Sequence, residues 1–349
     1  MDNKRYGFLD IAKAIGIFLV VWGHANPPYG VVKLIYAFHM PLFFFVSGYL
    51  FSFSKHPTAR EFISVRARQL LLPYIFLNII SYLFWLLISR NFGIDNAADV
   101  PVYKPLIGMI YGNGMDDYLH HCVPLWFLTC LFVVEVLFYL LFKNLKQKVL
   151  LLIVFALLAY ADHYFGIVRL PWGTNIALTA IVFYSAGHIA KDLLNKVLAS
   201  NKLMLIVFAA ILFGVMGVIA LRNGVPDMNA RVYNNYTLFI IGAFCGTFAL
   251  LSLSKFIELS IRNISYIQFI SVNTLAILGF HKMLGEVVKG VLVFAFKVPA
   301  TVFAGSVVYS FALSVAEMIC MVPLILFINA YCPIILGKRT KKANQPAHA

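Results

Sequence analysis

Apolar runs of about 20 residues, separated by short polar or basic stretches, recur along the whole of this 349-residue chain. Each run is long enough to cross a hydrocarbon core of about 30 Å as a helix. The runs are continuous and do not alternate at every second residue, which argues against a β-barrel. The pattern predicts an all-α polytopic membrane protein with about ten spans. They fall near 8–25, 32–52, 70–89, 124–142, 149–166, 173–190, 203–221, 236–254, 266–284 and 301–330. The stretch GEVVKGVLVFAFKVP (285–299) reads either as an interfacial helix or as a re-entrant segment. Residues 1–337 are expected to form one transmembrane domain, followed by a basic tail at 338–349.

Composition sharpens this picture. The chain is 62% hydrophobic and 12% charged, with a mean hydropathy of +0.86. A soluble domain carries about twice that share of charge, so any chemistry belongs inside the bilayer or at its rim. The net charge of +14 raises nucleic acid as a partner, but the bases sit in short segments between spans. That placement is the positive-inside signature, and no basic soluble module is present to dock on a duplex. Arg60, Arg66, Arg68, Lys143, Lys146, Lys148, Lys191, Lys255 and Arg262 then face the cytoplasm, as do both termini. The loop acids Asp95, Asp99, Asp116, Asp117, Asp162 and Asp227 face the other side. Five scattered cysteines contain no CxxC pair and read as packing residues. Asp10 and Lys13 interrupt what would otherwise be a signal-peptide core, which favours an uncleaved first span.

Those two residues also carry the first chemical signal. Ionisable groups within a span are costly and face a protein interior or a water-filled cavity. In LDIAKAIGIFLVVWGH (9–24), Lys13 and His24 lie eleven residues apart and so share one helix face. Asp10 is one turn before Lys13. It either pairs with Lys13 at the interface or joins a functional stripe. In FHMPLFFFVSGYLF (38–51), Pro41 cannot donate to the carbonyl of Ala37, so a kink is expected beside His39. His24 and His39 flank one short loop and could face one cavity. Span 9 holds Asn273, Thr274 and His281, and Thr274 and His281 share a face. Trp126 opens span 4 in VPLWFLTCLF, as a belt residue or as part of a site. Arg66 and Arg68 precede span 3, either as topology signals or as a landing site for phosphate. The long loop near 90–123 either shapes an acceptor site or connects two spans. No P-loop, GxGxxG turn, HExxH or HxxxH spacing is present, so neither a soluble nucleotide fold nor a metal site is expected.

The ordered set LDIAKAIGIFLVVWGH, FHMPLFFFVSGYLF, the basic lead into LLLPY, VPLWFL and NTLAILGFH resembles the membrane-bound acyltransferase-3 family. It is similar in particular to the short, fucose 4-O-acetylase-like forms without a fused soluble domain. The resemblance implies about ten core helices and transfer of an acyl group, usually acetyl, from cytoplasmic acyl-CoA to a saccharide hydroxyl. Acetyl-CoA would be a cosubstrate, the acceptor a free or lipid-linked cell-envelope saccharide, and the location a bacterial inner membrane, with membrane lipids the other partner. The family's basic residue, ten residues and histidine fall on Lys13 and His24. Of its Arg-x-x-Arg pair, Arg66 matches the first position. Gln69 stands at the second, with Arg68 beside it. His24 is then the candidate general base, with an acyl-histidine intermediate as the competing mechanism. Lys13 would either set the local potential or contact the donor, Asp10 would hold Lys13, and Arg66 and Arg68 would attract the CoA phosphates. His39, Trp126, Asn273 and His281 are candidate substrate-binding residues. The rival reading is a proton-coupled transporter or glycan flippase with His24, His39 and His281 as a relay. The lack of an internal repeat counts against it.

Overall fold

The structure is a computed structural model that describes residues 6–92, 95–96, 98–166, 168–303 and 305–338. Lys4, Arg5 and all of the basic tail except Lys338 lie outside the described residues. The chain starts with α1 (Gly7–His24), followed by α2 (Tyr29–Tyr36) and α3 (His39–Leu50). Next come α4 (Ala59–Arg66), α5 (Leu72–Leu87) and α6 (Tyr103–Tyr111), the last lying in the long loop after span 3. The middle is α7 (Trp126–Phe142), α8 (Lys148–Phe165), α9 (Thr174–Ile189), α10 (Lys191–Leu198), α11 (Lys202–Asn223) and α12 (Tyr236–Ser260). Last are α13 (Ser265–Val272), α14 (Thr274–Phe294) and α15 (Val307–Tyr331). Among the described residues no strand is present, only an isolated bridge between Asp227 and Val232.

The protein is an all-α polytopic membrane protein. Eight helical runs among the described residues are long and apolar enough to cross a bilayer. The other two expected spans fall on α9, which is 16 residues long, and on the interrupted pair α13–α14. At 1.5 Å per residue α9 is only about 24 Å long, and it is packed inside the bundle, not facing lipid. The stretch 285–299 is neither an interfacial helix nor a re-entrant loop at its start, because α14 runs on unbroken to Phe294.

Three breaks in the helices shape the interior, and each has a local cause. Pro41 lacks an N–H for the carbonyl of Ala37, and the second span divides just before it, at Phe38 (φ −147°, ψ −13°). The break thus precedes His39, which starts the new helix. Pro73 has the same effect on the third span. The turn Ala67–Leu71 widens to a π-helical one, with the Leu72 N–H reaching back to Ala67 O. Asn273 interrupts the ninth span; its Nδ2 donates to Phe269 O at 2.8 Å. Its Oδ1 accepts from Asn329 Nδ2 at 2.9 Å.

Close approach of small residues holds the bundle together, as membrane helices require when lipid competes equally for apolar side chains. α3 crosses α9 at Gly48 and Gly187. A Cβ at Gly48 would lie 1.8 Å from Tyr184 O, and one at Gly187 would lie 2.1 Å from Phe45 O. Around that crossing Phe44, Phe45, Tyr49, Phe138, Phe142, Phe183 and Tyr184 form a buried aromatic core. α1 is central too, packed against α3, α12, α13, α14 and α15.

Candidate active site

The inner face of α1 lines a row of cavities. Residues 13, 17, 20 and 24 recur at helical spacing and form one stripe. Lys13, Ile17 and Val20 line a mostly apolar cavity of about 750 Å³, open mouth included, together with Met40, Phe43, Phe127, Thr274 and Leu278. Val20 and His24 line the next one, about 500 Å³ with its mouth, where they meet Tyr36, His39, Trp126, Asp227 and Asn229. Val20, Met40 and Leu278 belong to both walls and form the neck between them. The first cavity shares Leu275 with a third, lined by Arg68, Gln69, Asn273, Gly337 and Lys338. The three cavities thus adjoin in series from a basic mouth to the histidines; α1 lines the two nearer the histidines and not the mouth. The rise from Lys13 to His24 is about 16 Å, half of the hydrocarbon thickness.

Three histidines converge at the far end. The His24 and His281 rings lie 5.2 Å apart, centroid to centroid, and His39 shares the His24 cavity. Hydrogen bonds decide two of the tautomers. His39 Nδ1 is 2.8 Å from Ile35 O; a carbonyl only accepts, so Nδ1 carries the proton and Nε2 keeps a lone pair. His281 Nδ1 is 3.0 Å from both Ile277 O and Leu278 O, so its Nε2 is also an unprotonated nitrogen, buried with no hydrogen-bond partner among the described residues. No hydrogen bond to His24 occurs among the described residues, and His24 lines this cavity.

The basic end is built differently from the sequence expectation. Lys13 Nζ is 3.6 Å from Asp10 Oδ1, and Ser271 Oγ donates to the same oxygen at 2.6 Å. Asp10 is buried and Lys13 lines the apolar cavity. Arg66 and Arg68 diverge. Arg66 Nε is 3.0 Å from the buried carboxylate of Glu135, and its Nη1 donates to Gln69 Oε1 at 2.8 Å. It is not among the residues lining the three cavities. Arg68 and Asn273 line the mouth, joined by Lys338, whose Nζ donates to Asn329 Oδ1 at 2.6 Å and to Asn273 Oδ1 at 3.3 Å. Partial desolvation there lowers the Lys338 ammonium below the ordinary lysine range. No group of three or more metal-ligating side chains occurs among the described residues.

A family model described as an acyltransferase domain matches residues 6–319. The chain belongs to the acyltransferase-3 family. Comparison with curated proteins and with solved structures finds no match. The match runs from the start of α1 into α15 and so contains the histidine cluster, the neck and most of the basic mouth. The protein is a membrane acyltransferase.

The acyltransferase also holds site residues that sequence reasoning missed. Asp227 and Asn229 come from the loop joining α11 and α12 and line the same cavity as His24. Their sequence, VPDMNARVYN, shows only turn chemistry, and no periodic pattern links it to His24 across some 200 residues. Burial pushes the Asp227 carboxyl above its ordinary range, opposed by the N–H groups of Ala230 and Asn229 and by Arg169. Tyr36 was missed too, although it sits one turn before His39; the rings are 5.0 Å apart. The long loop after span 3 does contribute, through Val123 and Pro124 at the cavity wall.

Proposed function

We propose that the protein is an O-acyltransferase that moves an acyl group, acetyl in the first instance, from cytoplasmic acyl-CoA to a hydroxyl of an exported or cell-envelope saccharide. The observation that carries this reading is the series of adjoining cavities, basic at one end, apolar in the middle and lined by imidazoles at the other. Phosphates of the donor suit Arg68 and Lys338, where charge-assisted hydrogen bonds are available. The donor's flexible arm suits the apolar segment, and Lys13 marks its lower end.

Chemistry follows from the far end. A saccharide hydroxyl is a weak nucleophile, and an imidazole with an ordinary pKa near 6.5 is a suitable base. His24 takes the hydroxyl proton as the oxygen attacks the thioester carbonyl. The C–O bond forms, the C–S bond breaks, and the imidazolium returns the proton to the departing thiolate. His39 Nε2, fixed as an acceptor by the Ile35 carbonyl, holds the acceptor hydroxyl or a neighbouring one. His281 packs on the His24 ring and positions it.

Membrane vesicles supplied with radiolabelled acetyl-CoA and the native glycan pool test the reading. Labelled saccharide and free CoA are expected from wild type, with loss of both in His24→Ala. Wild-type transfer by His24→Ala would refute the base assignment. Proton-driven solute flux without release of CoA would replace the acyltransfer reading by a transporter.

A further inference from the structure

We propose that Asp227, on the braced loop between α11 and α12, is the element that binds the acceptor, and that it takes an uncharged polyol ring through its free hydroxyls. The inference rests on the acyltransfer reading and adds the acceptor subsite to it. Three observations support it.

The first is placement. Asp227 lines the same cavity as His24, His39, Tyr36 and Trp126, facing them from a loop, not from the helical wall. It therefore meets a ligand in the cavity that holds the histidines, not in the apolar cavity that Lys13 lines. Its Oδ1 accepts from the Ala230 N–H at 3.1 Å, an Asx-type turn that orients the carboxylate, whose two oxygens have lone pairs beyond those that the backbone uses.

The second is rigidity. The loop is clamped at several points by backbone and side-chain bonds. Asp227 and Val232 exchange two backbone hydrogen bonds, at 2.7 and 2.9 Å. Arg169 donates to Asn229 O at 3.0 Å and to Ala230 O at 2.7 Å. Arg231 pairs with Asp162 at 2.8 Å. Arg231 and Asn234 hold left-handed φ values of 58° and 56°, a conformation that L side chains keep only where the surroundings enforce it. A loop held this firmly presents its carboxylate at little ordering cost when a ligand arrives.

The third is the chemistry facing the ligand. The Asp227 carboxylate and His39 Nε2 are both hydrogen-bond acceptors, so they call for a molecule rich in O–H donors. A simple alcohol offers one donor; a saccharide offers several on one ring. An anionic sugar acid would meet a carboxylate. Trp126, buried and lining the same cavity, supplies the flat apolar surface that the C–H face of a sugar ring fits.

The test uses full-length protein in membrane vesicles, labelled acetyl-CoA, and added glycan extract from the same cells as the acceptor. The isosteric Asp227→Asn variant is expected to raise the apparent KM for glycan extract about tenfold or more, as loss of a charge-assisted hydrogen bond implies, with the acetyl-CoA KM held within about twofold. Arg169→Gln, which unclamps the loop but keeps the carboxylate, is expected to weaken acceptor use in the same direction and by less. An unchanged glycan KM in Asp227→Asn overturns the proposal. So does an equal rise in both KM values, which would mark a general structural role. Failure of the underlying reading looks different: wild-type vesicles would then release no CoA at all.

Discussion

His281 stands behind His24, with ring centroids 5.2 Å apart, and its Nδ1–H is bound by the carbonyls of Ile277 and Leu278. The ring packed on the candidate base is therefore oriented by hydrogen bonds to its own helix. Replacing His281 with Phe keeps a ring but removes both hydrogen bonds. The expected result is a fall in kcat of about tenfold from misplacement of His24, with the acetyl-CoA KM unchanged. Steady-state kinetics over donor concentration separates the two parameters, and a rise in KM alone would place His281 in donor binding instead.

Arg66 and Arg68 are two residues apart and are expected to behave oppositely. Arg66 balances a carboxylate, Glu135, that is only 3% exposed. Arg66→Ala leaves that charge uncompensated in the bundle and is expected to cost about 3 kcal/mol or more of stability. The double variant with Glu135→Gln should recover most of the loss. Arg68→Ala, at the cavity mouth, should leave thermal stability alone and raise the acetyl-CoA KM. Thermal unfolding in detergent and donor kinetics on the same preparations decide both halves.

Asp10 and Lys13 allow a similar cycle. The carboxylate is buried, Lys13 is 3.6 Å away, and Ser271 donates to the shared oxygen. Lys13→Met is expected to lower stability by about 2 kcal/mol, between the values for exposed and buried pairs. Adding Asp10→Asn should restore part of it, measured as a shift in unfolding temperature. Transfer activity should stay low in both, because Lys13 also lines the donor path.

Lys338 carries a pH dependence. Partial desolvation lowers its pKa from the ordinary value of 10.5. The charged form, which phosphate requires, exists below the folded pKa, so donor affinity is lost at a lower pH than an ordinary lysine would give. The sign for stability is the reverse. Because the folded pKa lies below the unfolded one, this group's contribution to stability rises as pH climbs between them. Acetyl-CoA KM measured from neutral to alkaline pH should rise in wild type and stay flat in Lys338→Arg, whose guanidinium does not titrate there.

The sequence by itself determined the all-helical membrane architecture, because continuous apolar runs of about 20 residues have no other stable form in lipid. It also determined that Asp10, Lys13 and His24 mark an inward-facing stripe, since charge in a span is tolerated only away from lipid. Pro41 foretold a break near His39, although the exact turn depended on packing, whereas the interruption of the ninth span at Asn273 was not foreseen. What only the tertiary structure decided was partnership. Arg66 and Arg68 look equivalent in a basic segment, yet a π-helical turn and a buried Glu135 on α7 send them to different tasks. Lys338 joins the mouth because the chain after α15 returns to Asn273. Asp227 reaches His24 through a loop whose local sequence has no period to read. Helix formation depends on nearest neighbours along the chain and is legible there. A cavity is made by side chains far apart in sequence, and only the packing of the bundle brings them together.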